Sequence, residues 1–360
     1  SPTRAATTCA ATPGATGEPP PDAPEETTWS SLPVSWTTMS LAVLGPMPDT
    51  RRNGASSSAA TASAICPTVS EKLPADVFPK EAPRAKIIGN YGVGFSHIDT
   101  DAAKSAGVAV TNTPDVLSEC TADLAITLML MAARRASEGE REVRAGDWTG
   151  WRPTHMVGTK VSGATFGVLG FGRIGRTAAK RAHFGFGMKV IYYDAFPVKP
   201  ELAAETGAEA RDSIEAVLRE ADVVSLHMPG GKENYHLING ERLKMMKPTA
   251  ILVNTARGEG VDAAALAAAL KAGTIAGAGL DVFAEEPPPL DHPLLEFDNV
   301  IVSPHIAGVT DDCTYKMASW AAEQWLTIFR GACPPRLVNP DVWPAYRERF
   351  GRVTGETAED

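Results

Sequence analysis

The stretch GVLGFGRIGR, residues 167–176, constrains this chain more than any other. An apolar, strand-like run ends at Gly170, an amphipathic, helix-like run follows Gly172, and Gly170, Gly172 and Gly175 make the turn between them. The first glycine allows the tight turn, the second lets backbone approach a pyrophosphate, and the third lets the helix pack close to the strand. Alone, such a triplet is a weak signal. Here Asp194 ends the next strand-like run, KVIYYD, about 20 residues on, where a carboxylate accepts ribose hydroxyls and repels a 2′-phosphate. NAD is the expected cofactor, with NADP left open by the nearby Lys199.

The chain around that turn alternates short β runs with amphipathic helices from Arg84 onward, the pattern of a parallel α/β sheet. AKIIGN and GVAVTNT read as strands. TFGVLG, KVIYYD, DVVSLH, AILVNTA, AGAGLDVF and NVIVSPH read as six more, enough for a complete dinucleotide-binding sheet. ECTADLAITLMLMAARRASEGEREVRAG reads as one long helix, apolar nearly all round in its first part and so expected to be buried between domains. DDCTYKMASWAAEQWLTIFRG reads as a last amphipathic helix, capped by Asp311 and Asp312 and stopped at Gly331, before a proline-broken tail. Residues 1–64 differ: they are rich in Ser, Thr, Ala and Pro and have no sustained period, so poor order is expected, with one short strand over 39–48.

With 360 residues the chain exceeds what one core usually holds, and two domains are expected. A net charge of −9 speaks against a nucleic-acid partner, which needs a concentrated basic face. No apolar run reaches the roughly 20 residues that span a bilayer and no leader follows Ser1, so no membrane association and a soluble, cytoplasmic protein are expected. Cys9, Cys66, Cys120, Cys313 and Cys333 are scattered, odd in number and without CxxC spacing, and read as inert thiols with no metal site.

Three ionisable residues stand where strands end: Arg257 after ILVNTA, Glu286 after GLDVFAE and His305 after VIVSP. Ligands of open parallel sheets bind beyond the carboxyl ends of the strands, so these side chains can converge on the reactive end of a bound cofactor. Singly, each has a plain structural reading: an ion pair for Arg257, a solvated acid for Glu286, a core histidine for His305.

NYGVGFSHID, TNTPDVLSECTADLAITLMLMAARR, LGFGRIG, NTARGEGVD, AGAGLDVFAEEP and SPHIAG, in this order and spacing, resemble the NAD(P)-dependent D-isomer-specific 2-hydroxyacid dehydrogenases. GDWTGWRPTHMVG resembles their glyoxylate/hydroxypyruvate reductase branch, and the likeness runs from Cys66 to about Trp343. It implies a doubly wound (Rossmann) cofactor domain, residues 114–306, inserted in a smaller flavodoxin-like substrate domain, residues 65–113 and 307–345, with a tail over 346–360. It also implies reduction of a small 2-oxo acid, glyoxylate or hydroxypyruvate. Arg257 would bind the carboxylate and polarise the carbonyl, His305 would deliver the proton, and Glu286 would hold the imidazole. By the same resemblance, amides of Val93 and Gly94 hold the carboxylate, Asp281 contacts the nicotinamide amide, Thr255 and Ala256 lie along the ring, and Arg173 and Ile174 sit by the pyrophosphate. A homodimer is implied too, with Trp151 or its neighbours reaching toward the other subunit's site. A 3-phosphoglycerate-type dehydrogenase would share the catalytic set, and an NAD(H)-sensing, corepressor-like binding protein would share the fold. A formate dehydrogenase would carry glutamine at Glu286.

Residues 1–64 lack the strand and βα units with which such chains open, and the likeness resumes at ICPTVSEKLPADVF. A reading-frame shift or an artificial start is the expectation, with an incomplete substrate domain as its consequence.

Overall fold

The computed structural model describes residues 63–78 and 84–352. The low-complexity opening, including the strand expected over 39–48, and the last residues of the tail lie outside them. Two parallel sheets organise the described chain. The smaller joins β1 (Ala64–Ile65), β2 (Ile87–Gly89) and β3 (Ala109–Thr111) in that order. The larger contains β4 (Thr165–Leu169), β5 (Lys189–Tyr193), β6 (Glu209–Ala210), β7 (Val223–Leu226), β8 (Ile251–Asn254), β9 (Gly277–Leu280) and β10 (Val300–Val302). Its order is β10-β9-β8-β7-β4-β5-β6, and every pairing is parallel. The topology reverses between β4 and β7, the place at which doubly wound sheets open a crevice for a dinucleotide.

Helices cover both faces of the larger sheet, which explains its continuous apolar strands. Leu252 and Val224 join one buried cluster with Leu218 and Leu266, whereas Ile251, Val253 and Val223 join another with Met129 and Ala178. The helices that matter below are α1 (Thr100–Ser105), α2 (Ser118–Ala133), α3 (Ala136–Ala145), α4 (Arg173–Lys180), α5 (Ile214–Glu220), α6 (Ala263–Lys271), α7 (Asp311–Phe329) and α8 (Trp343–Phe350). The chain leaves the small sheet after β3, builds the large one, and returns along α7. There Ile328 and Trp325 pack on Ile87 and Ala109 together with Trp343 and Tyr346 of α8.

Four details differ from the sequence reading. The single long helix is two: Arg135 takes a left-handed φ of 53° between α2 and α3, and the Ala133 carbonyl accepts a hydrogen bond from the Thr159 amide at 2.7 Å. The break follows burial, because α2 inserts Ala122, Ala125, Leu128 and Met129 against the large sheet whereas α3 buries no residue. The large sheet has a seventh strand, β6, whose two residues are both exposed and left no apolar signature. Thr310, not Asp311 or Asp312, caps α7 by accepting from the Cys313 amide. The proline-broken tail forms α8, with Trp343 and Tyr346 buried.

Candidate active site

Parallel strands end on a common edge, and this edge gathers the ionisable residues. Past β8, the buried Asn254 side chain closes the turn that presents Arg257: its Oδ1 accepts from the Ala256 amide at 3.0 Å, and its Nδ2 donates to the Arg257 carbonyl at 2.9 Å. Among the described residues the guanidinium makes one hydrogen bond, from Nη1 to the Ala256 carbonyl at 2.7 Å. No carboxylate among the described residues lies within ion-pair distance of it. Burial pulls its pKa down from the ordinary arginine value, and the charges of Glu259 and Glu286 offset this only in part. Arg242, by contrast, is held by Glu215 at 2.7 Å. A largely buried guanidinium with spare donors and no counter-ion is a site for an anion.

The loop after β2 meets that guanidinium. A Cβ placed on Gly94 would lie 1.9 Å from Arg257 Nη2, so only glycine leaves room for the arginine. The loop's carbonyls are turned inward and satisfied: Asn90 Nδ2 donates to the Gly92 and Gly94 carbonyls at 3.0 and 2.9 Å, and Asn112 Nδ2 donates to Val93 at 2.8 Å. The amides of Val93 and Gly94 have no partner among the described residues. His97 Nε2 donates to Asn90 Oδ1 at 3.0 Å and so fixes the amide's orientation. Burial, and then the charge of Arg257, hold the His97 pKa below the ordinary histidine value.

His305 follows β10 in a left-handed conformation, φ 54°, which L-residues adopt uncommonly and which its surroundings hold in place. Asp281, fully buried after β9, does so. Its carbonyl accepts from the His305 amide at 2.8 Å, and its carboxylate accepts from Ser303 Oγ at 2.6 Å and from the Ile306 and Ala307 amides at 2.9 and 2.8 Å. His305 Nδ1 donates to Glu286 Oε2 at 2.7 Å, which leaves Nε2 free of any partner among the described residues. Glu286 Oε1 accepts from the Phe283 amide at 2.9 Å. Burial alone would raise the Glu286 pKa, but the hydrogen bonds from His305 and Phe283 and the charges of His305 and Arg257 outweigh it, and the net shift is downward.

The glycine turn lies on the same edge. Gly170 takes φ 90°, and a Cβ on Gly175 would lie 2.2 Å from the Gly170 carbonyl oxygen. Gly172 faces open space, with nothing within 4 Å of a built Cβ. Asp194 accepts from the Phe171 amide at 2.6 Å and the Phe196 amide at 2.9 Å, which ties the end of β5 to the turn. Arg173 is exposed and ion-paired with Asp115, and Ile174 is half-buried in the first turn of α4. The buried Thr255 hydroxyl, one residue past β8, has no partner among the described residues, at the strand edge where open parallel sheets take their ligands. Sequence reasoning overlooked Asn90, Asn112 and His97, whose role depends on the fold. It also did not foresee that Asp281 holds the His305 turn.

A doubly wound sheet, a glycine turn at its switch point, and an acid, a base and a free guanidinium on the same edge define a nicotinamide-dependent oxidoreductase. Residues 126–307 match the family described as D-isomer specific 2-hydroxyacid dehydrogenase, NAD binding domain. A glyoxylate reductase of Korarchaeum cryptofilum is 46% identical over 280 residues, 78% of this chain and 83% of that one. Among solved structures, the D-lactate dehydrogenase of Aquifex aeolicus, complexed with NAD and lactic acid, superposes with a TM-score of 0.71 at 32% identity, covering 79% of this chain and 89% of that one. An NADPH-dependent glyoxylate/hydroxypyruvate reductase of Sinorhizobium meliloti gives 0.69 at 33% identity, with 77% and 84% covered. The chain belongs to the D-isomer-specific 2-hydroxyacid dehydrogenase family. It is an enzyme with a nicotinamide-dinucleotide-binding domain, and the open side of Gly172, the unpartnered Thr255 hydroxyl and the position of Asp194 fit that cofactor.

Proposed function

We propose that this enzyme reduces a small 2-oxo acid, glyoxylate or hydroxypyruvate, to the D-2-hydroxy acid, with NADH preferred. The observation that carries the reading is the Arg257 guanidinium, which has no carboxylate partner among the described residues, next to the amides of Val93 and Gly94, which likewise have none there. These groups suit a carboxylate together with an adjacent carbonyl oxygen: the amides and Arg257 hold the first, and Arg257 polarises the second. The nicotinamide of the bound cofactor supplies hydride. As carbon 2 of the substrate accepts it, His305 delivers a proton from Nε2 to the oxygen, while Glu286 holds the ring through Nδ1. Asp281 keeps His305 in its strained turn, and in this reading it also contacts the nicotinamide amide. Thr255 and Ala256 line the ring, Gly170, Gly172, Arg173, Ile174 and Gly175 receive the pyrophosphate, and Asp194 receives the ribose.

The same reading divides the chain into a cofactor domain over 114–306 and a substrate domain over 65–113 and 307–345, and makes the protein a cytoplasmic homodimer. Trp148, Trp151 and Val157, 53%, 81% and 66% exposed, support the dimer as an arm that a second copy covers. No helix of the described residues is long and apolar enough to cross a membrane.

Turnover of glyoxylate and hydroxypyruvate with NADH and NADPH, run beside Arg257→Lys, tests the proposal. Lysine keeps the charge but loses the planar fork, so turnover efficiency falls about 10²-fold with cofactor affinity unchanged. A less stable variant with parental turnover would instead give Arg257 a purely structural role.

A further inference from the structure

Cys120 and Cys313 are 193 residues apart in sequence, yet their sulfurs lie 3.0 Å apart. Each sits in the first turn of a helix, Cys120 in α2 and Cys313 in α7. Those helices begin just after the two passages by which the described chain moves between its sheets: β3 leads to α2, and β10 leads through the His305 turn to α7. α2 is seated on the large sheet, where Leu128 and Met129 pack, and α7 on the small one, where Ile328 and Trp325 pack. The two thiols therefore touch where a covalent bond would join the helix carried by one sheet to the helix carried by the other.

The surroundings divide the work between them. Cys120 is partly exposed, and Cys313 is fully buried. The Thr310 hydroxyl, 3.1 Å from the Cys120 sulfur, also caps the Cys313 amide, and the Cys313 thiol lies 3.2 Å from the Val116 carbonyl oxygen. Burial, then the hydrogen bond with Cys120, push the Cys313 pKa up to about 11, so Cys313 is the poorer initial nucleophile.

We propose that Cys120 and Cys313 form a dithiol modification site that a hydroperoxide oxidises to a disulfide, stapling the two sheets in the arrangement seen here. The Cys120 thiolate attacks the peroxide, the O–O bond breaks, and a sulfenic acid forms with release of an alcohol, or of water from hydrogen peroxide. The Cys313 sulfur then attacks the sulfenic sulfur, an S–S bond forms, the S–O bond breaks, and the oxygen leaves as water with the two remaining protons. Two thiols are oxidised by two electrons and one peroxide is reduced. A reducing dithiol reverses the change by exchange. A catalytic cycle that requires the two bodies to move relative to one another would be slowed by the staple, because the bond spans both passages.

The test treats the full chain with stoichiometric hydrogen peroxide, blocks remaining thiols and maps peptides without reduction. The expected result is a linked peptide containing Cys120 and Cys313, a rise in melting temperature, and a severalfold fall in 2-oxo acid turnover that dithiothreitol reverses; Cys120→Ser abolishes all three. The linked peptide and the melting shift need no substrate, so they stand apart from the proposed reduction. Free or separately over-oxidised Cys120 and Cys313 would overturn the site. A linked chain with the melting temperature and turnover of the reduced one would overturn the staple.

Discussion

The turn after β4 and the loop after β2 are the two glycine-bearing loops assigned here to anions, and they are built in opposite ways. The first is assembled within the large sheet: Gly175 leaves room for the carbonyl of Gly170, the next strand sends Asp194 back to the Phe171 amide, and the backbone of His227 after β7 lies against Gly170. The second borrows from elsewhere. Asn112 comes from beyond β3, and the space over Gly94 is filled by Arg257 from the far sheet. A loop completed within one sheet is expected to survive changes in the other, whereas one completed by a side chain from the far sheet works only when both sheets are in place.

Gly94→Ala is the strongest way to break this comparison. Its methyl group meets the flexible end of a side chain and not backbone, so the fold adapts by moving Arg257. Turnover efficiency for 2-oxo acids is expected to fall about 10³-fold, while melting temperature and NADH affinity hardly move. Parental turnover in that variant would mean that the loop does not depend on Arg257.

On the cofactor side, the comparison is sharpened by pH. His227, whose backbone lies against Gly170, is half-buried, its Nδ1 is buried without a partner among the described residues, and burial of the ring lowers its pKa from 6.5 to about 4. Between those values the unfolded chain binds a proton that the folded chain refuses, so stability is greatest above the ordinary histidine value and is lost as pH falls toward 4. The loss amounts to about 3 kcal/mol. Urea midpoints at neutral and acid pH measure it, and His227→Gln is expected to flatten the slope; a variant as steep as the parent would assign the acid sensitivity to other groups.

The smallest expected effect concerns Asp194. Replacing it with alanine removes the repulsion of a 2′-phosphate and also two hydrogen bonds that hold the turn, so the preference for NADH over NADPH narrows by about tenfold. Kinetics with both cofactors measure this, and a parent that already prefers NADPH would show that Asp194 does not set the choice.

Most of the large sheet was legible in the sequence because its strands are continuous apolar runs bounded by turns, a local signal. β6 was not, since two exposed residues carry no pattern. The break at Arg135 was hidden as well: the helical residues on both sides keep their propensity, and what separates α2 from α3 is that one is seated on the sheet and the other is not. Arg257, Glu286 and His305 could be located as a group because parallel strands deliver their ends to one edge. That His305 rests on Glu286, and that its turn rests on Asp281, required the loops after β9 and β10 to be seen together.

By itself, then, the sequence determined the alternation that makes the sheet parallel, the glycine turn with its aspartate, and the chemical types at the strand ends. All three are written in residues close together along the chain, where sterics and periodicity act directly. Only the tertiary structure decided that Arg257 lacks a carboxylate partner among the described residues, that Asn90, Asn112 and His97 turn a loop's amides outward, and that two scattered cysteines touch. These depend on contacts between segments far apart in the chain, and such contacts leave no local trace because each partner residue, read alone, is compatible with many surroundings.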